Sequence, residues 1–324
     1  MKYFIKLILV TLFFYGCKSI QTSKNAITNK VEIDLVNIEK DQVLVNFTVP
    51  ETASDKQIYY MPKTVPGTYS TDNYGQYVSN FKAFDKTNNQ LKVNQLDVNS
   101  WEISDATKLS RISYLVEDTY DSEFGKSEDE TVFSPSGTNI LKGENFVLNL
   151  HGFIGYFKDF QNSPYNLSVK HTNNVNAATS HSFNQKSAPD NTYKIDNFYY
   201  TRYAQVTDDP IIYGELDNVT FKLNDIEILL SVYSPNKVHT AESLEPSMKK
   251  MMQAQKSFMG EINSTKKYSI LLYLSQSGTD DAQGFGALEH NNSTIVVLPE
   301  YLPLQILEEY MICLLYTSPS PRDA

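Results

Sequence analysis

Val31-Glu32-Ile33-Asp34-Leu35 and, after the turn Lys40-Asp41-Gln42, Val43-Leu44-Val45-Asn46-Phe47-Thr48-Val49 alternate apolar and polar residues with a period of two. Successive side chains of a strand point to opposite faces, so each stretch buries one face and wets the other. The intervening turn makes the two an antiparallel pair. The texture continues through Ser79-Asn80-Phe81-Lys82-Ala83-Phe84, Ser100-Trp101-Glu102-Ile103, Arg111-Ile112-Ser113-Tyr114-Leu115-Val116 and Phe146-Val147-Leu148-Asn149-Leu150. Short strands in such close succession predict an all-β, sandwich-like N-terminal domain over residues 31–190. Its expected edge is the polar stretch Asn173 to Asn191, poor in core residues.

Beyond residue 195 the pattern changes. Strand-like segments at Phe198 to Val206, Val219 to Leu223 and Ile226 to Tyr233 precede a helical stripe at Leu244, Met248, Met251, Met252, Phe258, Met259 and Ile262, with Thr240 or Ser243 available as N-cap. The stripe reads as core packing. The apolar run Tyr268 to Leu274, a Gly/Ser/Asp loop, the segment Gly284 to Pro299 and a helix starting near Leu302 follow. The predicted fold is therefore α+β, with an all-β first domain and a mixed second domain over residues 195–312.

The 324 residues carry 28 Lys and Arg against 38 Asp and Glu, a net charge of −10 that leaves no basic surface for nucleic acid. A hydrophobic fraction of 41% supports a sizeable core, and two Cys are too few for a disulfide scaffold. Both ends read differently from the middle. Lys2 and Lys6 precede a short apolar run that ends at Tyr15-Gly16-Cys17, too short to span a bilayer. The small residue before Cys17 resembles a bacterial lipoprotein processing box. That implies a signal peptide over 1–16, lipidation at Cys17 and a polar tether over 17–30, on a cell-envelope protein at the outer membrane or facing the periplasm. The segment Cys313 to Ala324 resembles a sequencing-library adapter read in frame, so residues 313–324 are expected to be an artefact and the native reading to break off after Ile312.

The five His (His151, His171, His181, His239, His290) include no pair set four apart around a Glu, and the chain has no phosphate-binding Gly loop and no Gly-x-Ser-x-Gly elbow. No catalytic or metal-ligating set is assigned. Gly284-Phe285-Gly286-Ala287-Leu288-Glu289-His290, running into Ile295-Val296-Val297-Leu298, has the glycines for close backbone approach and a carboxylate beside an imidazole. An edge strand of this kind can pair with a peptide and hold a free ammonium on Glu289. The plainer reading is a solvated Glu-His loop pair.

Gly286-Ala287-Leu288-Glu289-His290, with Asn292-Ser293-Thr294 and Leu298-Pro299 after it, resembles the Gly-Gly-Leu-Glu-His segment of the glycyl aminopeptidase family. Members of that family are zinc metallopeptidases with a thermolysin-like (gluzincin) catalytic domain and usually a C-terminal PDZ domain. Met61-Pro62-Lys63-Thr64-Val65-Pro66-Gly67-Thr68-Tyr69 is similar to the family's N-terminal Pro-Gly turn, with Val65 where an aromatic is expected nearby. Asp208-Asp209-Pro210-Ile211-Ile212-Tyr213-Gly214 is similar to its Asp-x-Pro-Ile-x-x-Gly. The resemblance implies that Glu289 binds the α-amino group of a peptide substrate, as the Glu of Gly-Ala-Met-Glu-Asn does in related aminopeptidases, with Gly286 and Ala287 alongside the peptide. It also implies that zinc serves the full-length enzyme through a His-Glu-x-x-His helix absent from these residues, so this chain is expected to bind no zinc and to be inactive. Asp209, Pro210 and Gly214 are expected to form a structural turn between the domains. The alternative is a non-catalytic lipid-anchored protein that binds peptide or glycan.

Overall fold

A computed structural model describes residues 27–122, 132–260, 265–278 and 281–317. The signal segment, Cys17, most of the tether, Ile262 and residues 318–324 of the tail lie outside the described residues.

The first body opens with β1 (Asn29–Glu39), β2 (Gln42–Thr48), β3 (Lys56–Tyr60), β4 (Val78–Asp85), β5 (Gln90–Leu91), β6 (Val93–Asp97), β7 (Ser100–Ser104) and β8 (Leu109–Glu117). It continues through β9 (Asn139–Leu141), β10 (Asn145–Leu148), α1 (Leu150–Phe153), β11 (Tyr156–Phe157), β12 (Tyr165–His171), β13 (Asn176–Ala178), β14 (Phe183–Ser187), β15 (Lys194–Tyr200), α2 (Tyr203–Thr207) and β16 (Ile211–Gly214). These make an eight-stranded sheet, β14-β15-β12-β1-β2-β8-β4-β5, and two four-stranded sheets, β13-β16-β10-β9 and β11-β3-β7-β6. β1 and β2 form the expected hairpin. Lys40 and Asp41 at its tip both take positive φ, 51° and 59°, the mirror-image turn whose twist suits paired strands.

The core is aromatic. The Phe47 ring meets the edges of Tyr59, Phe157 and Tyr165 at 5.8, 5.7 and 6.0 Å, and Phe81 stacks on Trp101 at 4.9 Å. The buried hydroxyls form a chain: the Tyr114 hydroxyl donates to the Phe153 carbonyl, so the Tyr59 hydroxyl donates to Tyr114 and itself accepts from the Gly155 N–H.

Two expectations about this region change. Asn173 to Asn191 is not a linker, because it supplies β13 and β14, both at sheet edges. An edge strand keeps few buried positions, and β14 is largely exposed, which is why its composition reads as polar. Nor does Phe198 to Val206 open the second domain. β15 pairs with β12 along its whole length and the chain then turns into α2, so the first body runs to Gly214.

The second body contains β17 (Asp217–Leu223), β18 (Ile226–Tyr233), α3 (Ala241–Met259), β19 (Lys267–Ser275), β20 (Gly286–Glu289), β21 (Ser293–Pro299) and α4 (Leu304–Thr317). The sheet order is β17-β18-β19-β21-β20, with β18, β19 and β21 parallel and the outer strands antiparallel. α3 starts in a capping box, in which Thr240 Oγ1 accepts from the Ser243 N–H at 3.2 Å and Ser243 Oγ accepts from the Thr240 N–H. Leu244, Met248 and Met251 are buried as expected, whereas Phe258, in phase with them, is 89% exposed. Phase selects a helix face, and only a neighbour buries it.

One face of this sheet, with Leu230, Leu272 and Val296, packs under α3 and α4 beside Met248, Leu307 and Met311. The other face, with Leu271, Leu288, Ile295 and Val297, packs on Val147, Ala178 and Ile212 of the first body. Strands covered on both faces read as unbroken apolar runs, as Ile270 to Leu274 and Ile295 to Leu298 do. Among the described residues no helix is long and apolar enough to cross a membrane.

Candidate functional site

β20 is the edge strand expected for Gly286 to Glu289, in register with β21 from Gly286 opposite Val297 to Glu289 opposite Thr294. Alternation divides its residues. Gly286 and Leu288 are buried toward the first body, whereas Ala287 and Glu289 are half-buried on the face that carries α3 and α4. Glu289 is thus neither a solvated loop residue nor a core carboxylate.

The back of β20 is held by three pieces of the first body. The turn Val65-Pro66-Gly67-Thr68 is closed by the Thr68 N–H donating to the Val65 carbonyl, with Gly67 at φ 92°. A Cβ on Gly67 would sit 2.7 Å from Leu288 Cδ1, so the turn touches β20 only because it is glycine. Phe133 lies against Gly286, where an added Cβ would come within 2.7 Å of its ring. Ser134 Oγ accepts from the Gly284 N–H at 2.9 Å.

The third piece is the Asp208-Asp209 pair, whose neighbouring carboxylates serve opposite bodies. Asp209 is buried in the first body and accepts from Thr179 Oγ1 and the Tyr200 hydroxyl, both at 2.6 Å. Burial raises its pKa, and those two donors oppose the rise. Asp208 reaches the β20–β21 turn. Its oxygens accept from the Asn291 N–H at 3.1 and 3.2 Å and from Asn291 Nδ2 at 2.5 Å, and lie 3.6 Å from His290 Nδ1. The next residues continue the division, with Ile211 and Tyr213 packing into the first core and Ile212 into the seam between the bodies. The structural turn expected of Asp209, Pro210 and Gly214 is therefore a seam, and Asp208 is the member of it that touches the site.

Close by, His151 is buried with Nε2 at 2.8 Å from the Ser136 carbonyl, and burial, reinforced by His290, pushes it down to about 4. It is neutral near pH 7 and donates from Nε2. Phe133, Ser134, Asn291 and His151 gave no signal by spacing, since they come from three separate segments: the turn at 133–136, the helix α1 and the β20–β21 turn. Asp208 and Asn291 stood inside or beside quoted motifs, but nothing in either motif paired them.

The described residues do not fit a tetrahedral zinc. His171 binds Asp196, His181 the Tyr199 carbonyl, His239 the carbonyls of Glu300 and Leu302, and no two imidazoles converge with a third ligand. Asp41, Asp118 and Asp121 do bring carboxylate oxygens within 4.8 Å of one another. Asp118 accepts the N–H groups of Tyr120, Asp121 and Ile140, a turn that ties β8 to β9.

The family model described as the Peptidase M61 N-terminal domain matches residues 30–215. No protein of curated function matches the sequence. Among solved structures, an aminopeptidase N family protein from Idiomarina loihiensis aligns with a TM-score of 0.66 at 19% identity, over 84% of this chain and 42% of its own. An M1 zinc metallopeptidase from Deinococcus radiodurans aligns with a TM-score of 0.46 at 12% identity, over 88% of this chain and 63% of its own. The likeness to the first is one of fold, and the chain spans 42% of that protein's length.

Proposed function

The chain belongs to the peptidase M61 family through its N-terminal domain at residues 30–215, and from that premise we propose that it is the amine-recognising part of a zinc-dependent aminopeptidase acting on peptides. In this reading Glu289 takes the free N-terminal ammonium of a glycine- or alanine-type peptide. The backbone of Gly286 and Ala287 runs beside the peptide. The observation that carries the reading is the placement of Glu289 at the end of edge strand β20, half-buried and on the face turned away from the first body. A carboxylate there makes a charge-assisted hydrogen bond to an ammonium, and an N-acetylated peptide offers no such charge. Zinc, when bound by the full-length enzyme, would polarise the scissile carbonyl and activate water. Since the described residues hold no set for it, they are assigned recognition only, and the second body is read as the opening part of a thermolysin-like domain.

The test is an NMR titration of the 324-residue chain with glycyl-alanine amide and its N-acetyl counterpart. Preference for the free amine by about tenfold, lost in Glu289→Gln, is expected from one charge-assisted hydrogen bond. Equal binding of the two peptides overturns the proposal. No hydrolysis of glycyl reporters is expected with or without added zinc. The second reading is a non-catalytic peptide- or glycan-binding lipoprotein. Zinc content and glycyl-reporter hydrolysis by the full-length protein separate the two. Location on the cell envelope rests on lipidation at Cys17, outside the described residues, and loss of palmitate labelling in Cys17→Ser would check it.

A further inference from the structure

We propose that Asp208 is a positioning residue for Glu289, fixing the β20–β21 turn to the first body so that the amine-binding carboxylate has one place to be. The inference rests on the amine-recognition reading of Glu289. β20 has a ladder partner on one side only, β21, and ends two residues before Asn291. A four-residue edge strand is held weakly by its own ladder, and its end is where fraying starts. Asp208 acts at that end: one carboxylate accepts both the N–H and the side-chain amide of Asn291 and faces His290, the residue after Glu289.

The anchor is itself fixed. Asp208 follows α2 and precedes Asp209, whose two short hydrogen bonds to Thr179 and Tyr200 pin the backbone into the first core. The carboxylate that reaches the turn therefore starts from a backbone with little freedom. Gly67 and Phe133 press the middle and start of β20 from behind. Within the second body the turn is closed by the His290 N–H donating to the Ser293 carbonyl at 2.8 Å and held by the Ser269 N–H donating to the Asn292 carbonyl at 3.0 Å; Asp208 adds the directional restraint that comes from the first body. The first body is thereby part of the recognition site without touching the ligand.

The experiment compares the chain with its Asp208→Ala and Asp208→Asn variants in two measurements. One is the ratio of affinities for glycyl-alanine amide and its N-acetyl form. The other is amide hydrogen exchange across β20 and Asn291, with β2 as internal reference. Asp208→Ala is expected to lower the affinity ratio by about fivefold or more and to speed exchange in β20 and at Asn291 about tenfold, with β2 unchanged. Asp208→Asn keeps an acceptor for the Asn291 N–H and should recover part of both. An unchanged ratio, including equal weakening of both peptides, overturns positioning, since a merely structural loss affects both ligands alike. Where the unmutated chain fails to distinguish the peptides, the amine reading itself falls, and exchange then decides: β20 protection unchanged in Asp208→Ala overturns the clasp, and its loss upholds it.

Discussion

The two bodies are built on different kinds of core. The first packs aromatic rings edge to face and threads buried polar groups among them, as in the set formed by His171, Asp196, Tyr213 and Gln185, where Asp196 accepts from the Tyr213 hydroxyl at 3.0 Å and from Gln185 Nε2 at 2.9 Å. Under its two helices the second is aliphatic and methionine-rich, with Leu230, Leu272, Val296, Met248 and Met311. Aromatic side chains with polar tips can close a core among short, irregular strands, because some of the hydroxyls finish backbone groups that the sheet leaves open, as Tyr114 does for the Phe153 carbonyl and Tyr59 for the Gly155 N–H. A parallel sheet under helices leaves no such groups, so its core can be dry.

The contrast can be broken most directly at Phe47. Phe47→Ala removes three ring contacts and should cost about 3–5 kcal/mol in urea unfolding, against about 2–5 kcal/mol for Leu272→Ala in the second body. Separate transitions, each moved by its own variant, would sharpen the comparison. A single transition moved equally by both would erase it. Next in size is the polar set. Asp196→Ala strips partners from buried His171 and Tyr213 and should cost about 3 kcal/mol, while Leu272→Met, which keeps volume in the dry core, should cost under about 1.5 kcal/mol. A smaller loss for Asp196→Ala than for Leu272→Met would show that the polar set does not stabilise the first body.

The seam between the bodies responds to Gly67. Gly67→Ala places a Cβ at positive φ against Leu288 and should cost about 1–3 kcal/mol, with accelerated amide exchange in β20. Thr240→Ala removes the α3 cap and should cost about 1 kcal/mol in the second body alone. The smallest expected effect is on pH dependence. Burial, with Asp121 adding, pushes Asp41 in the β1–β2 turn up to about 6 from its usual 3.8. The folded chain thus keeps a proton that the unfolded chain releases. The stabilisation it brings is complete below pH 3.8 and is lost as pH rises through about 6. Asp41→Asn should flatten that slope in urea midpoints taken from pH 4 to 7, and an unaltered slope would exclude Asp41 as its source.

What was legible in the sequence follows from range. The period of Val31 to Val49 predicted β1 and β2, Thr240 or Ser243 was available to start α3 and the structure uses Thr240, and Gly286 to Glu289 could be read as an edge strand from its glycines and the apolar run after it. These are local properties, decided within a turn or a strand. The polar stretch from Asn173 to Asn191 misled because exposure at a sheet edge and exposure in a linker give the same composition.

By itself, then, the sequence determined that a β body precedes a mixed α/β one, and that three short motifs, around Gly67, Asp208 and Glu289, stand out from their surroundings. Only the tertiary structure decided that all three meet at one strand, that consecutive carboxylates face different bodies, and that the first body reaches Gly214. Periodicity selects the face a side chain takes. Which distant segment covers that face depends on contacts between residues more than a hundred positions apart, such as Ser134 with Gly284, and no local pattern encodes them.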